Sequence, residues 1–228
     1  MASVNIVLEQ PMPSFSEQLK NEAQPIWDRI FQHPFLTEAR EKRLPVEKFR
    51  YYILQDFHYL ESFARTVAIA LGKAPDSESV EALAKRVLTP IERPLHRQLL
   101  ELVEVTPEEA AHAQPSPTNL AYGNHMLATA FQHGLGPTAA ALLPCPWTYH
   151  HLGDVLGKID HPIYGVWANF YLQGALEHSV QAWRSFVDQA GADASPTDRE
   201  AMRRAFLTSS RYELLFWDMA YKMEQWPG

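Results

Sequence analysis

The chain has 228 residues, of which 46% are hydrophobic, 11% aromatic and 21% charged, a composition that supplies a packed core and excludes intrinsic disorder. The formal net charge is -7, with Lys and Arg scattered singly, so no basic stripe faces phosphate backbones or anionic lipid, and neither nucleic acid nor membrane is an expected partner. One cysteine cannot close an intramolecular disulfide, the opening residues lack a secretory pattern, and no run approaches the roughly 18 apolar residues of a membrane span; a soluble protein of the reducing cytoplasm is expected.

Residues 1–13 carry two prolines and no helical period and read as a flexible tail. From Ser14 to Phe31 the apolar residues Phe15, Leu19, Ala23, Ile26 and Ile30 recur at helical spacing, and His33-Pro34 ends that helix. A short helical piece follows, and Leu44-Pro45 marks the turn into the strongest helix of the chain. There Phe49, Tyr52, Ile53, Leu60, Phe63, Val67 and Ala70 lay one apolar stripe along about six turns at roughly 3.6 residues each. Lys73 to Ser77 is a loop, and Val80 to Val103 reads as a single helix kinked at Pro90 and Pro94. His112 to Pro117 reads as loop.

Helical patterns then run from Thr118 to Gln132, from Pro137 to Lys158, from Pro162 to Gln189 with a break near Gly174, and from Pro196 to Gln225. No period-two alternation rich in β-branched residues interrupts them, so the fold class is all-α. No Gly, Ser or Pro-rich linker divides the chain, which predicts one helical domain over residues 14–228, a bundle of eight to ten helices.

Three residues break the pattern in which they sit. Asp56 falls in the middle of the apolar stripe, between Ile53 and Leu60, so a carboxylate is aimed at the core and needs donors, from a neighbouring Tyr or Trp or from a ligand. Tyr59 lies close to the same face. Glu213, with Ser209, Trp217 and Ala220 around it at helical spacing, is either a boundary acid that snorkels past Trp217 to water or a carboxyl with a raised pKa suited to proton transfer. Cys145 stands between Pro144 and Pro146 at a forced irregularity, with Tyr149 one turn on; it is either an inert buried thiol or a nucleophile, and nothing basic adjoins it in sequence.

Ten histidines raise the question of a metal. His150 and His151 point about 100° apart on a helix, no HExxH is present, and Glu92, His96, His125 and His58 are the only material for a carboxylate-bridged site. No metal is expected. Nucleotide-binding and serine-hydrolase motifs are absent.

Five segments taken together carry more than any of them alone: HPF at His33, RYYILQDFHYLESFAR from Arg50, LLPCPWTYHHLG from Leu142, HPIYGVWANFY from His161 and SSRYELLFWDMAY from Ser209. In order and spacing they resemble the TenA/thiaminase II family over nearly the whole chain beyond Pro13, and the LPC-x-W-x-Y block resembles its cysteine-containing branch. The resemblance implies a heme-oxygenase-like helical bundle, assembled as a homotetramer, that hydrolyses aminomethylpyrimidine breakdown products of thiamin without metal or organic cofactor. It implies Cys145 as nucleophile, Glu213 as acid/base, Asp56 as the carboxyl holding the aminopyrimidine, and Tyr59, Tyr122, Tyr149 and Tyr171 as pocket phenols.

Two departures accompany it. Lys42 stands where the family commonly has a glycine, in the turn before Leu44-Pro45. LQGALE, from Leu172 to Glu177, follows Tyr171 where relatives often carry an acidic residue and an aromatic, which bears on substrate preference and on the pose of Tyr171. Two other classes compete with the hydrolase: a metal-dependent oxygenase or cofactor-synthesis relative on the same fold, which requires clustered His and carboxylate ligands, and a regulatory protein, which the acidic charge and the lack of a basic face disfavour.

Overall fold

The computed structural model describes residues 13–88 and 90–227, and among them every regular element is a helix. The predicted tail lies outside the described residues except for Pro13. The order is α1 (Phe15–Phe31), α2 (Pro34–Arg40), α3 (Val46–Leu71), α4 (Ser77–Leu88), α5 (Arg93–Leu102), α6 (Pro107–His112), α7 (Pro117–Gln132), α8 (Leu135–Leu142), α9 (Pro144–Leu156), α10 (Tyr164–Leu172), α11 (Glu177–Ala192) and α12 (Pro196–Lys222).

Starts are set by capping chemistry. Ser14, Ser116 and Ser195 accept backbone N–H bonds at the heads of α1, α7 and α12, and Thr106 and Glu109 close a capping box on α6, satisfying donors that a first turn leaves orphaned. His33 caps α2 with its imidazole, its Nδ1 accepting from the Phe35 N–H at 3.1 Å.

The prolines explain why twelve helices are described where eight to ten were expected. The stretch from Val80 to Val103 is two helices, because Pro94 sits in the first turn of α5, where its missing N–H costs no bond. Likewise Pro144 opens α9 immediately after α8, dividing the single helix expected from Pro137 to Lys158. The region expected as loop from His112 begins with the last residue of α6. The break near Gly174 stands as predicted, with φ +72 at that glycine.

The long α3 and α12 are the organising pair. α12 packs on α1, α3, α7, α8, α9 and α11, while α3 packs on α4, α5, α7 and α8. α8 is apolar on all sides and buried from Gly136 through Leu142, as a helix enclosed by neighbours must be. Between α2, α3, α10 and α12 the rings of Phe35, Phe49, Tyr52, Trp167 and Trp217 interlock at centroid distances of 5.2 to 6.4 Å, which locks the register of the helices that carry the polar anomalies.

Candidate active site

Cys145, Tyr59, Tyr122, Tyr149, Tyr171 and Glu213, drawn from five helices, are all buried, and the structure gathers them around one place. Cys145 occupies the first turn of α9, 6% exposed, at the wall of a cavity of about 1090 Å³ that opens between α3, α4, α5 and α11. Pro144 and Pro146 fix that turn without sacrificing a helical bond, since neither needs an intrahelical donor there. The phenol that acts on the thiol is Tyr59 of α3, whose hydroxyl donates to Met126 Sδ at 3.9 Å. It is not Tyr149, whose place one turn from Cys145 suggested that role; the Tyr149 hydroxyl instead meets Tyr52 Oη at 3.0 Å while its ring stacks on Trp217 at 5.6 Å.

Glu213 is 3% exposed, so it does not snorkel to water. Tyr122 donates to its Oε1 at 2.6 Å, and Thr148 Oγ1 approaches Oε2 at 3.5 Å while lying 3.1 Å from the Cys145 carbonyl oxygen. Burial, with Glu92 adding to it, raises the Glu213 carboxyl to about 7 against the hydrogen bonds of Tyr122 and Thr148. At neutral pH the group is poised between acid and base.

Asp56 lies on α3 with its side chain 14% exposed. Among the described residues no Tyr or Trp donates to it; the nearest partner is His96 of α5, with Nε2 at 3.6 Å, and that nitrogen also bonds the Ile53 carbonyl at 3.0 Å. Burial lowers His96 to about 4, so the imidazole is neutral at working pH and its N–H is committed to the backbone. Burial, reinforced by Glu92 and Glu213, pushes Asp56 well above the ordinary carboxyl range. Its carboxyl therefore has both oxygens available and favours the protonated form.

Glu92 completes the electrostatics. Its Oε1 accepts from Tyr171 Oη at 2.8 Å, and burial raises its pKa. The Cys145 thiol is pushed well up by burial and by Glu213, Glu92 and Asp56 together, with the Tyr59 hydrogen bond opposing. Three carboxyl groups thus act on one thiol, and among the described residues the sole basic partner within ion-pair distance of any of them is the neutral His96.

Close helix packing sets this geometry. A Cβ on Gly153 would lie 2.6 Å from the Tyr171 backbone, so only glycine lets α9 approach α10 closely enough for the Tyr149 and Tyr171 rings to meet at 5.2 Å. The sequence pattern missed Thr148, Tyr52 and the acid-binding role of Glu92. Thr148 lies three residues after Cys145, and that helical spacing is the one signal that pointed to it. Asp56, Glu92 and His96 approach one another, but no group of three or more His, Cys, Asp or Glu among the described residues is arranged to hold a metal ion. Nor is any described helix long and apolar enough to cross a membrane.

The sequence matches the model of the TENA/THI-4/PQQC family over residues 20–223. The aminopyrimidine aminohydrolase of Bacillus subtilis (strain 168) is 34% identical over 216 residues, covering 93% of this chain and 92% of that one. Among solved structures, the TenA homologue protein from P. horikoshii OT3 superposes with a TM-score of 0.83 at 32% identity, covering 92% of this chain and 99% of its own. A domain of unknown function with a heme oxygenase-like fold from Shewanella denitrificans OS217 gives a TM-score of 0.74 at 11% identity over 94% of both chains, a likeness of fold alone. The all-α, heme-oxygenase-like bundle expected from the sequence is the fold observed.

Proposed function

The chain belongs to the TENA/THI-4/PQQC family, and from that premise we propose that it is a thiamin-salvage hydrolase. It converts 4-amino-5-aminomethyl-2-methylpyrimidine and water to 4-amino-5-hydroxymethyl-2-methylpyrimidine and ammonia, and it cleaves thiamin at the same methylene carbon. The observation that carries this reading is a buried thiol in company with buried acids: Glu213, tied to Tyr122 at 2.6 Å, and Asp56, to which no Tyr or Trp donates among the described residues, both act on Cys145. Glu213 and Glu92, where ionised, favour a cationic arm on the ring, and both the ammonium of the aminomethyl arm and the thiazolium of thiamin are cations.

In this reading Asp56 holds the ring. An aminopyrimidine presents a ring nitrogen beside an exocyclic amine; a protonated carboxyl donates O–H to the first and accepts N–H from the second. Tyr59 aligns the thiol, Tyr122 aligns Glu213, and Tyr149 and Tyr171 wall the ring. Sulfur then adds to the ring carbon beside the one bearing the arm, and Glu213 delivers a proton to a ring nitrogen, so that the net step adds S–H across a C=N bond. The electron-rich ring expels the amine from the methylene. Water adds there, giving up one proton to the departing amine, and loss of the cysteine restores aromaticity.

Cys145 is neutral at rest, so the thiolate forms only as its proton leaves; a cationic substrate among the three acids lowers the cost of that step. The reading includes a cytoplasmic homotetramer, supported by the exposed apolar side chains of Leu88, Leu120, Phe131 and Leu215 and tested by light scattering. The function itself is tested by following ammonia and hydroxymethylpyrimidine released from the aminomethylpyrimidine, with thiamin as the parallel substrate. Turnover of neither compound refutes it.

A further inference from the structure

The cavity beside Cys145, at about 1090 Å³, is larger than the roughly 300–1,000 Å³ of pockets that bury a whole drug-sized ligand. A single pyrimidine ring with a one-carbon arm fills a small part of it. The remaining space runs outward along a continuous wall of rings. Tyr59 meets Phe63 at 6.1 Å; Phe63 meets Trp183 at 6.5 Å; and the Arg86 guanidinium lies over Trp183 at 5.3 Å.

Arg86 is the anomaly at that far end. It lines the cavity and is half-buried, yet among the described residues it has no carboxylate partner within ion-pair distance. Its Nη atoms reach only Ser179, at 3.4 Å to both the hydroxyl and the carbonyl oxygen, and its Nε is buried with no hydrogen-bond partner. A guanidinium removed from water is normally matched by an anion, because leaving it alone costs desolvation with no Coulombic return. The rim carries both signs, Glu61, Glu78 and Glu81 against Lys85, Arg93 and Arg97, but none of those acids pairs with Arg86.

The cavity therefore carries Glu92 and His96 on the wall it shares with Cys145, and an unmatched guanidinium beside Ser179. A complementary ligand is cationic next to the pyrimidine and anionic at its far end. We propose that the outer chamber binds a phosphate monoester carried by the substrate's leaving group, with Arg86 as the residue that selects it and the Ser179 hydroxyl as a second donor. The free Nε edge of Arg86 suits an anion that accepts several N–H bonds at once. The reaction is unchanged in kind: the methylene C–N bond breaks, water supplies the hydroxyl, one proton is released, and the neutral heterocycle leaves with its phosphate intact.

This inference rests on the hydrolase reading, and the test separates the two. Binding of aminomethylpyrimidine, thiamin and thiamin monophosphate is measured calorimetrically on Cys145→Ser, which stops turnover. The monophosphate should bind at least about tenfold more tightly than thiamin, inorganic phosphate should compete with the monophosphate and not with thiamin, and Arg86→Gln should bring the two affinities together, with Arg86→Lys between. Equal binding of thiamin and its monophosphate, or a preference that Arg86→Gln leaves intact, overturns the anion site while the hydrolase reading stands. Failure of all three compounds to bind overturns both. Should Arg86→Gln not fold, phosphate competition in the Arg86-containing protein decides: competition supports the site and its absence refutes it.

Discussion

The two ends of the cavity are built differently. At the inner end the phenols are tied: Tyr122 to Glu213 at 2.6 Å, Tyr52 to Tyr149 at 3.0 Å and Tyr171 to Glu92 at 2.8 Å. They stand on α3, α7, α9 and α10. At the outer end the wall is formed by α4, α5 and α11, and Arg86 is held there only by long bonds to Ser179, at 3.4 Å, and by its place over Trp183. Precision at the thiol and latitude at the mouth are what a covalent mechanism with a variable leaving group requires, since bond making tolerates little displacement and leaving-group recognition tolerates much.

That contrast is broken most severely at the inner end. Cys145→Ser should lower turnover by about a thousandfold or more while ring binding and folding persist, because an alcohol of nearly the same shape is a far weaker nucleophile. Near-full activity in that variant, measured as ammonia release, would remove the covalent step from the mechanism.

Glu213→Gln is expected to lower the rate by about 10²–10³-fold, the scale of a lost proton-transfer group, with a smaller effect on pyrimidine binding. Its stability should move the other way. The carboxyl titrates at about 7 in the folded protein against 4.5 for a free Glu side chain, so the folded state holds its proton longer than the unfolded chain. Stability from this group is full below about pH 4.5 and lost as pH rises through 7, on the order of 3 kcal/mol. Relative to wild type, Glu213→Gln should therefore be more favourable at pH 8 than at pH 4. Denaturant titrations at both values check the sign, and a pH-independent difference would show that Glu213 is not held protonated.

Gly153→Ala tests whether the inner end depends on helix approach. The added methyl meets the Tyr171 carbonyl carbon and oxygen at 2.6 Å, so α9 and α10 must separate, at about 1–3 kcal/mol of stability. Activity should fall with the loss of the Tyr149–Tyr171 contact. A variant of wild-type Tm and rate would place the constraint elsewhere. Asp56→Asn is milder. The amide keeps the shape and can keep both hydrogen bonds but loses the more acidic, transferable O–H proton, worth roughly 1–1.5 kcal/mol, so pyrimidine affinity should drop about tenfold. Unfolding, with normal affinity in the folded fraction, would make Asp56 a structural acid.

What could be read from the sequence follows the range of each interaction. Asp56 stood out because an apolar stripe is a local pattern, and Cys145 because two flanking prolines mark an irregularity wherever they fall. The partners of both were hidden, since Tyr59 comes to Cys145, and His96 to Asp56, only through the packing of α3 against α9 and α5. Glu92 and His96 were visible as a helical pair, material for a metal site that the pattern did not favour; in the folded chain their neighbours are Tyr171 and Asp56. The helix count fell short because a proline inside a periodic run is compatible with a kink and with a first turn, and Pro94 takes the first turn.

The smallest expected effect lies at neither end of the cavity and so calibrates the rest. Lys42, in the turn between α2 and α3, adopts φ +61, the left-handed conformation that a glycine enters freely and a side chain with a Cβ enters at a cost of about 1 kcal/mol. The turn thus keeps the backbone shape that the family's usual glycine would give, and the penalty is local. Lys42→Gly should relieve it, offset in part by the greater freedom of glycine in the unfolded chain. The net gain should be about 0.5 kcal/mol, or a Tm rise of roughly 1–2 °C for a chain of this size. Turnover and the affinities for thiamin and its monophosphate should be unchanged. A stability gain without a kinetic change would confirm that activity losses in the other variants report on the cavity rather than on the fold. Lowered activity in Lys42→Gly would show instead that the α2–α3 turn sets the position of Asp56 and Tyr59 along α3.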